Sequence, residues 1–159
     1  PTASTAKAAR ALGLEVVERF FGVALADELA RAGRQADLIA ANNVLAHVPD
    51  IDDFVAGFAR LLKPHGVATF EFPHLLRMVQ GCQFDTAYHE HYSYLSLTAM
   101  QRIFAANGLV VVDVDVHGPV DGREIWEGGL GIGAFRCVGQ AAQARHSDQF
   151  SLVLAFGKG

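Results

Sequence analysis

Helical and strand-like periodicities alternate along most of this chain, and that order admits few folds. Thr2–Ala11 is rich in Ala, Lys and Arg and reads as a short helix ended by Gly13. Glu15–Phe21 is β-branched and aromatic, which predicts a strand with Gly22 as its stop. Ala24–Ala32 carries Leu25, Leu29 and Ala32 on one helical face before Gly33. Asp37–Ala41 reads as a short buried strand, and Asn42 and Asn43 follow as turn residues. Asp50 is placed to cap a helix in which Ile51, Phe54, Val55, Phe58 and Leu62 recur at helical spacing. Lys63-Pro64-His65-Gly66 turns the chain into a strand over Val67–Phe72, stopped by Pro73, and a short helix is expected over His74–Val79. Thr98 is expected to cap a helix with Met100, Ile103 and Phe104 on its core face, closed by Gly108. Leu109–Val116 is a further strand, Gly118–Gly129 a loop and Leu130–Val138 a weak last strand. Such alternation predicts an α/β protein whose mostly parallel sheet is covered by helices on both faces.

Size and charge narrow the function. A chain of 159 residues, 51% apolar, can bury a core and suits one domain, expected over residues 1–138 with a tail from 139 to 159. A net charge of −4 argues against binding nucleic acid through its phosphates. No apolar run approaches membrane-spanning length and no secretory signal opens the chain. Cys82 and Cys137 lack CxxC spacing, which fits a reducing, cytoplasmic compartment and gives no zinc site. Pro1 stands where a Met would open a complete protein, so the chain is expected to be cut from a longer one.

The chemistry concentrates between Phe84 and Ser96. Tyr88, His89, Glu90, His91 and Tyr92 are consecutive, and each can donate, accept or move a proton. A simple surface loop would more often use Gly, Ser, Asn and Lys. The run follows a long apolar strand and a Pro, the usual place for a site on an α/β sheet.

Two segments and this run carry a family resemblance. Asp37-Leu-Ile-Ala-Ala-Asn-Asn-Val-Leu-Ala-His-Val-Pro-Asp50 resembles the strand and loop after the cofactor site of class I S-adenosylmethionine methyltransferases, with their Rossmann-like sheet. Leu61-Leu-Lys-Pro-His-Gly-Val67 resembles the same family's helix-to-strand turn. With Asp85-Thr-Ala-Tyr-His-Glu-His-Tyr-Ser-Tyr-Leu-Ser96 added, the combination resembles the sugar C-methyltransferases, which methylate a carbon of nucleotide-linked keto-deoxysugars. The resemblance covers roughly residues 1 to 130. Parts of the family pattern are missing: the glycine-rich cofactor loop and the acidic ribose ligand, which would precede Pro1, the amino-terminal zinc domain and the carboxyl-terminal domain. The family's His-Gly-Gly-Ser segment has its nearest match in Glu127-Gly128-Gly129-Leu130, with Glu in place of His. This fragment is accordingly expected to bind S-adenosylmethionine weakly or not at all.

The resemblance implies methyl transfer to carbon, with a small nucleotide-sugar substrate and S-adenosylmethionine as cofactor. A carbon beside a ketone becomes nucleophilic once a base removes its proton, and donors must meet the developing oxyanion. The match assigns the base to His91, orientation of base or sugar to Glu90 and Tyr88, and a substrate hydrogen bond to His47 across the pocket. Phe21, Asn42 and Asn43 would meet the cofactor. Plainer readings stand beside these. His89 and His91 form an HxH pair that could bind metal, although no third ligand is set by spacing. Tyr92 and Tyr94 read equally as buried structural rings, His47 as a loop or capping histidine, Asn42 and Asn43 as turn formers, and Phe20 and Phe21 as core. His65, His74, His117 and His146 read as surface residues. Competing functions are a non-catalytic module that keeps only the substrate side of the pocket, and methyl transfer to oxygen or nitrogen. The latter needs less of a base, so the Tyr-x-Glu-His run argues against it. Oligomeric state is not legible.

Overall fold

The structure is a computed structural model and describes residues 3–83, 87, 89–117 and 132–139. Its elements follow the order α1 (Ala3–Ala11), α2 (Val23–Arg31), β1 (Ala36–Asn42), a 3-10 turn (Leu45–His47), α3 (Ile51–Leu61), β2 (Leu62–Pro73), α4 (Leu75–Gln80), α5 (Leu97–Ala106), β3 (Leu109–His117) and β4 (Ile132–Gly139). The strands form one sheet in the order β1-β2-β4-β3. β1 and β2 pair in parallel, and β4 runs antiparallel to both β2 and β3. The three strands expected at 37–41, 67–72 and 109–116 therefore share one direction. The last strand, inserted between the second and third, corrects the expectation of a mostly parallel ladder: of the three pairings only β1 with β2 is parallel. An antiparallel neighbour needs no crossover helix, so the chain can return from β3 directly into that gap.

Alternation along β2 sorts its side chains. Ala68, Phe70 and Phe72 are fully buried, while Val67, Thr69 and Glu71 on the opposite face are only partly covered. The buried face meets α3 and α5 through a run of rings. Phe21 packs edge-on against Phe54 and Phe58, with centroids 5.6 and 5.3 Å apart. Phe58 then meets Phe70 at 4.6 Å, and Phe70 meets Phe104 at 4.8 Å. Met100, Leu109 and Cys137 close this core. Asp50 caps α3 as expected, its carboxylate accepting from the Asp53 N–H at 3.0 Å. The Asp53 carboxylate in turn accepts from the Val23 N–H that opens α2. The two helices approach closely at Gly57, where a Cβ would meet the Gly22 backbone and the Phe21 ring at 2.9 Å.

Four expectations are corrected. Glu15–Phe21 is not a strand: among the described residues no neighbouring strand offers it a ladder, and β propensity is largely the packing such a neighbour supplies. Ion pairs from Arg10 to Glu18, Arg34 to Glu15 and Arg19 to Glu28 pin it instead, and Arg19 holds the Glu28 carboxyl below its usual range. Phe20 is exposed rather than core, and only Phe21 turns inward. Ser96, not Thr98, caps α5, because its hydroxyl reaches the Ala99 N–H at 3.2 Å. Lys63–Gly66 does not simply precede β2. It forms a register irregularity inside it, between the Ala36–Leu62 and Leu38–Val67 pairs.

Candidate active site at the carboxyl edge of the sheet

β1 delivers the chain to the site through a sharp reversal. Asn43 adopts a left-handed backbone with φ of 51°, which Asn tolerates better than most residues, and its N–H donates to the Glu71 carbonyl at 2.8 Å. The 3-10 turn that follows buries Leu45 and Ala46 and leaves His47 half-buried at the end of β1. The polar run returns over the same edge as a strap. The N–H groups of Tyr92 and Ser93 donate to the Ala46 carbonyl at 2.8 and 3.3 Å. Further along, Leu95 forms a parallel bridge with His74, and its carbonyl accepts from the Leu75 N–H at 2.9 Å. Backbone hydrogen bonds therefore pin the strap to the ends of both β1 and β2 before Ser96 starts α5.

This pinning brings His47 and His91 together, with ring centroids 4.7 Å apart and planes at 60°. The Nδ1 of His47 lies 3.0 Å from the Glu90 carbonyl oxygen. A carbonyl only accepts, so Nδ1 carries a proton, and in the neutral form of the ring Nε2 is left as an acceptor. The edge of the Tyr94 ring meets His91 at 5.8 Å. The pair thus sits with one ring oriented by main chain and the other half-buried beside it, an arrangement able to accept a proton and hold a hydrogen-bonded ligand. Glu90 and His89 are exposed. Among the described residues no group of three or more His, Cys, Asp or Glu is placed to hold a metal ion.

The other expected site residues are distributed unevenly. Asn42 and Asn43 lie exposed at the carboxyl end of β1, beside the turn that carries His47. Phe21 lies in the aromatic core contact with α3. Tyr88 and the segment 127–130 lie outside the described residues. Tyr92 and Tyr94 are not buried rings, since they are 66% and 38% exposed. His74, expected on the surface, is only 8% exposed, and its Nδ1 is buried without a hydrogen-bond partner among the described residues. Its position could have flagged it, because like His47 it is a histidine just beyond the carboxyl end of an apolar strand.

A family model described as a methyltransferase domain matches residues 4–114. The chain belongs to that family, and its fold is the Rossmann-like α/β fold of class I methyltransferases. It is 37% identical over 121 residues to the C-methyltransferase NovU of Streptomyces niveus, a match covering 74% of this chain and 29% of NovU. The chain thus spans less than a third of that relative's length. A solved S-adenosylmethionine-dependent methyltransferase of Thermotoga maritima aligns over 88% of this chain and 71% of its own, with a TM-score of 0.59 and 14% identity. Another, from Clostridium acetobutylicum, aligns over 84% and 69%, with a TM-score of 0.55 and 11% identity. At these identities the structural matches speak for the fold alone.

Proposed function

We propose that this chain forms the substrate side of an S-adenosylmethionine-dependent C-methyltransferase acting on a nucleotide-linked keto-deoxysugar. The observation that carries the reading is the His47–His91 pair, 4.7 Å apart at the carboxyl edge of the sheet, with His47 oriented by the Glu90 carbonyl. The similarity to NovU favours carbon as the methyl acceptor.

In this reading His91 removes the proton from the carbon beside the ketone, leaving an enolate. An imidazole, with a reference pKa of about 6.5, suits that task near neutral pH. His47 holds the substrate through Nε2, and Tyr88 and Glu90 orient sugar or base. S-adenosylmethionine, when bound, would supply the electrophilic methyl group for that carbon from its sulfonium. The amide groups of Asn42 and Asn43 suit such a cofactor, since their exposed donors and acceptors can meet ribose hydroxyls or an adenine edge. Phe21 would have to meet the cofactor with the part of its ring that α3 leaves uncovered. The substrate is a small molecule rather than nucleic acid, in keeping with the net charge of −4. The free thiols of Cys82 and Cys137 suit a cytoplasmic setting.

The test isolates the proton transfer in the full-length protein. Solvent deuterium exchange at the substrate carbon, followed by NMR without cofactor, should proceed with the native protein and stop with His91→Asn. Methylation should fall by about 10²–10⁴-fold in the variant while cofactor affinity holds. Exchange at the native rate in His91→Asn would make another group the base, with Glu90 next in line.

A further inference from the structure

His74 is a buried polar group that neither the fold nor the proposed reaction uses. It is 8% exposed, its side chain makes no capping hydrogen bond to α4, and its Nδ1 is buried without a partner among the described residues. An unpaired buried nitrogen costs free energy, and such a group calls for a specific explanation in a native protein. Its place in the fold supplies one. His74 is bridged to Leu95 of the strap, and the same strap is held by the Ala46 carbonyl three residues earlier. The end of β2 that carries His74 and the end of β1 that carries His47 are therefore covered by one short segment.

We propose that His74 is a substrate-binding residue whose Nδ1 hydrogen-bonds a hydroxyl of the bound sugar. The inference rests on the sugar-methylation reading and adds a contact to it. A hydroxyl both donates and accepts, so it completes Nδ1 in either tautomer. A ketone oxygen or an ionised phosphate serves only an N–H. A ring hydroxyl therefore fits this nitrogen whichever tautomer it holds, whereas a ketone or diphosphate oxygen fits it only as N–H.

The test uses full-length protein, a nucleotide-linked keto-deoxysugar and analogues each lacking one ring hydroxyl. His74→Phe should raise KM about tenfold, the equivalent of one hydrogen bond, with kcat nearly unchanged. One deoxy analogue should raise KM for the native protein and cause no further rise in the Phe variant. The Phe variant should also unfold at a higher temperature, because it removes a buried unpaired nitrogen; a merely structural histidine would predict the reverse. His74→Asn, which keeps a polar atom near the Nδ1 position, should recover most of the affinity. An unchanged KM in His74→Phe, with the native protein active, overturns this inference and leaves the proposed function standing. A native protein that methylates no keto sugar overturns both. Should the Phe variant not fold, the ¹⁵N resonance of His74 Nδ1 in the native protein decides: it must move when substrate saturates the site, while that of exposed His65 stays. A stationary His74 signal overturns the inference.

Discussion

β2 passes through two chemical regimes within five residues. At Phe70 and Phe72 its side chains are 0% and 1% exposed, packed among rings from α3 and α5. At His74 the chain has left the ladder and joined an edge where main-chain hydrogen bonds do the fastening. The core holds side chains by packing and leaves them no alternative position. The edge holds backbone, buries the His74 ring, and leaves the imidazoles of His47 and His91 half-buried and the amides and tyrosines exposed, able to meet a ligand. A site built this way can change side chains without dismantling the fold, because its geometry is set by carbonyls and N–H groups that every residue carries.

The comparison breaks most sharply when one large residue is removed from each side. His91→Asn should cost about 10²–10⁴-fold in methylation and leave the unfolding midpoint nearly unchanged. Phe70→Ala should do the reverse in kind: a loss of about 3–5 kcal/mol in stability, read by denaturant unfolding, because the cavity opens between Phe58 and Phe104 where three elements meet. At temperatures where the Phe70 variant remains folded, substrate-proton exchange should continue. Loss of stability in the His91 variant as large as in the Phe70 variant would show that the edge is part of the core after all.

The cysteines extend the contrast to reactivity. Cys137 is fully buried in the sheet, and burial pushes its thiol up to about 12, whereas Cys82 is exposed. Alkylation at pH 8 should therefore label Cys82 and spare Cys137 in the folded protein. The same burial links stability to alkaline pH. The unfolded thiol ionises near 9.0 and the folded one near 12, so the folded state holds the extra proton between those values. Stability from this group is complete below pH 9 and is lost as pH rises toward 12, read as a falling unfolding midpoint that Cys137→Ser should flatten. Equal labelling of both thiols would show that the sheet opens locally.

Periodicity made the core legible and left the edge only half legible. Helical spacing identified Phe54, Val55 and Phe58 in α3 and Met100 and Phe104 in α5 directly, because burial of one face imposes that spacing. The antiparallel place of β4 was not legible, since strand order depends on which neighbour the returning chain meets and leaves no mark on a single strand. Glu15–Phe21 misled for the complementary reason: its residues favour a strand, but none lies beside it among the described residues. At the edge, the family resemblance, with position after a strand in its support, suggested His47 and His91, and the structure sets their rings side by side. The link from the Glu90 carbonyl to His47 was invisible, because main-chain groups have no sequence signature. His74 was missed because it reads as a surface residue opening a short helix, and its backbone bridge to Leu95 leaves no local mark in the sequence.

The smallest effect separates the two regions most finely, because it uses two caps of the same kind. Asp50 caps α3, whose buried face packs in the aromatic core, and Ser96 caps α5 at the point where the strap ends. Replacing either by Ala removes one hydrogen bond from a helix terminus and should cost about 1 kcal/mol of stability. The activities should diverge. Asp50→Ala acts on a helix that packs through Phe54 on Phe21 and through Phe58 on Phe70 of β2, so the site should keep its rate. Ser96→Ala frees the end of the strap that carries His91, and small misplacements of a catalytic group are expensive. Its kcat should fall several-fold at a stability equal to that of Asp50→Ala. Equal rates in the two variants would mean that the hydrogen bonds to Ala46 and Leu75 alone hold the strap, and that the site is anchored on the sheet independently of α5.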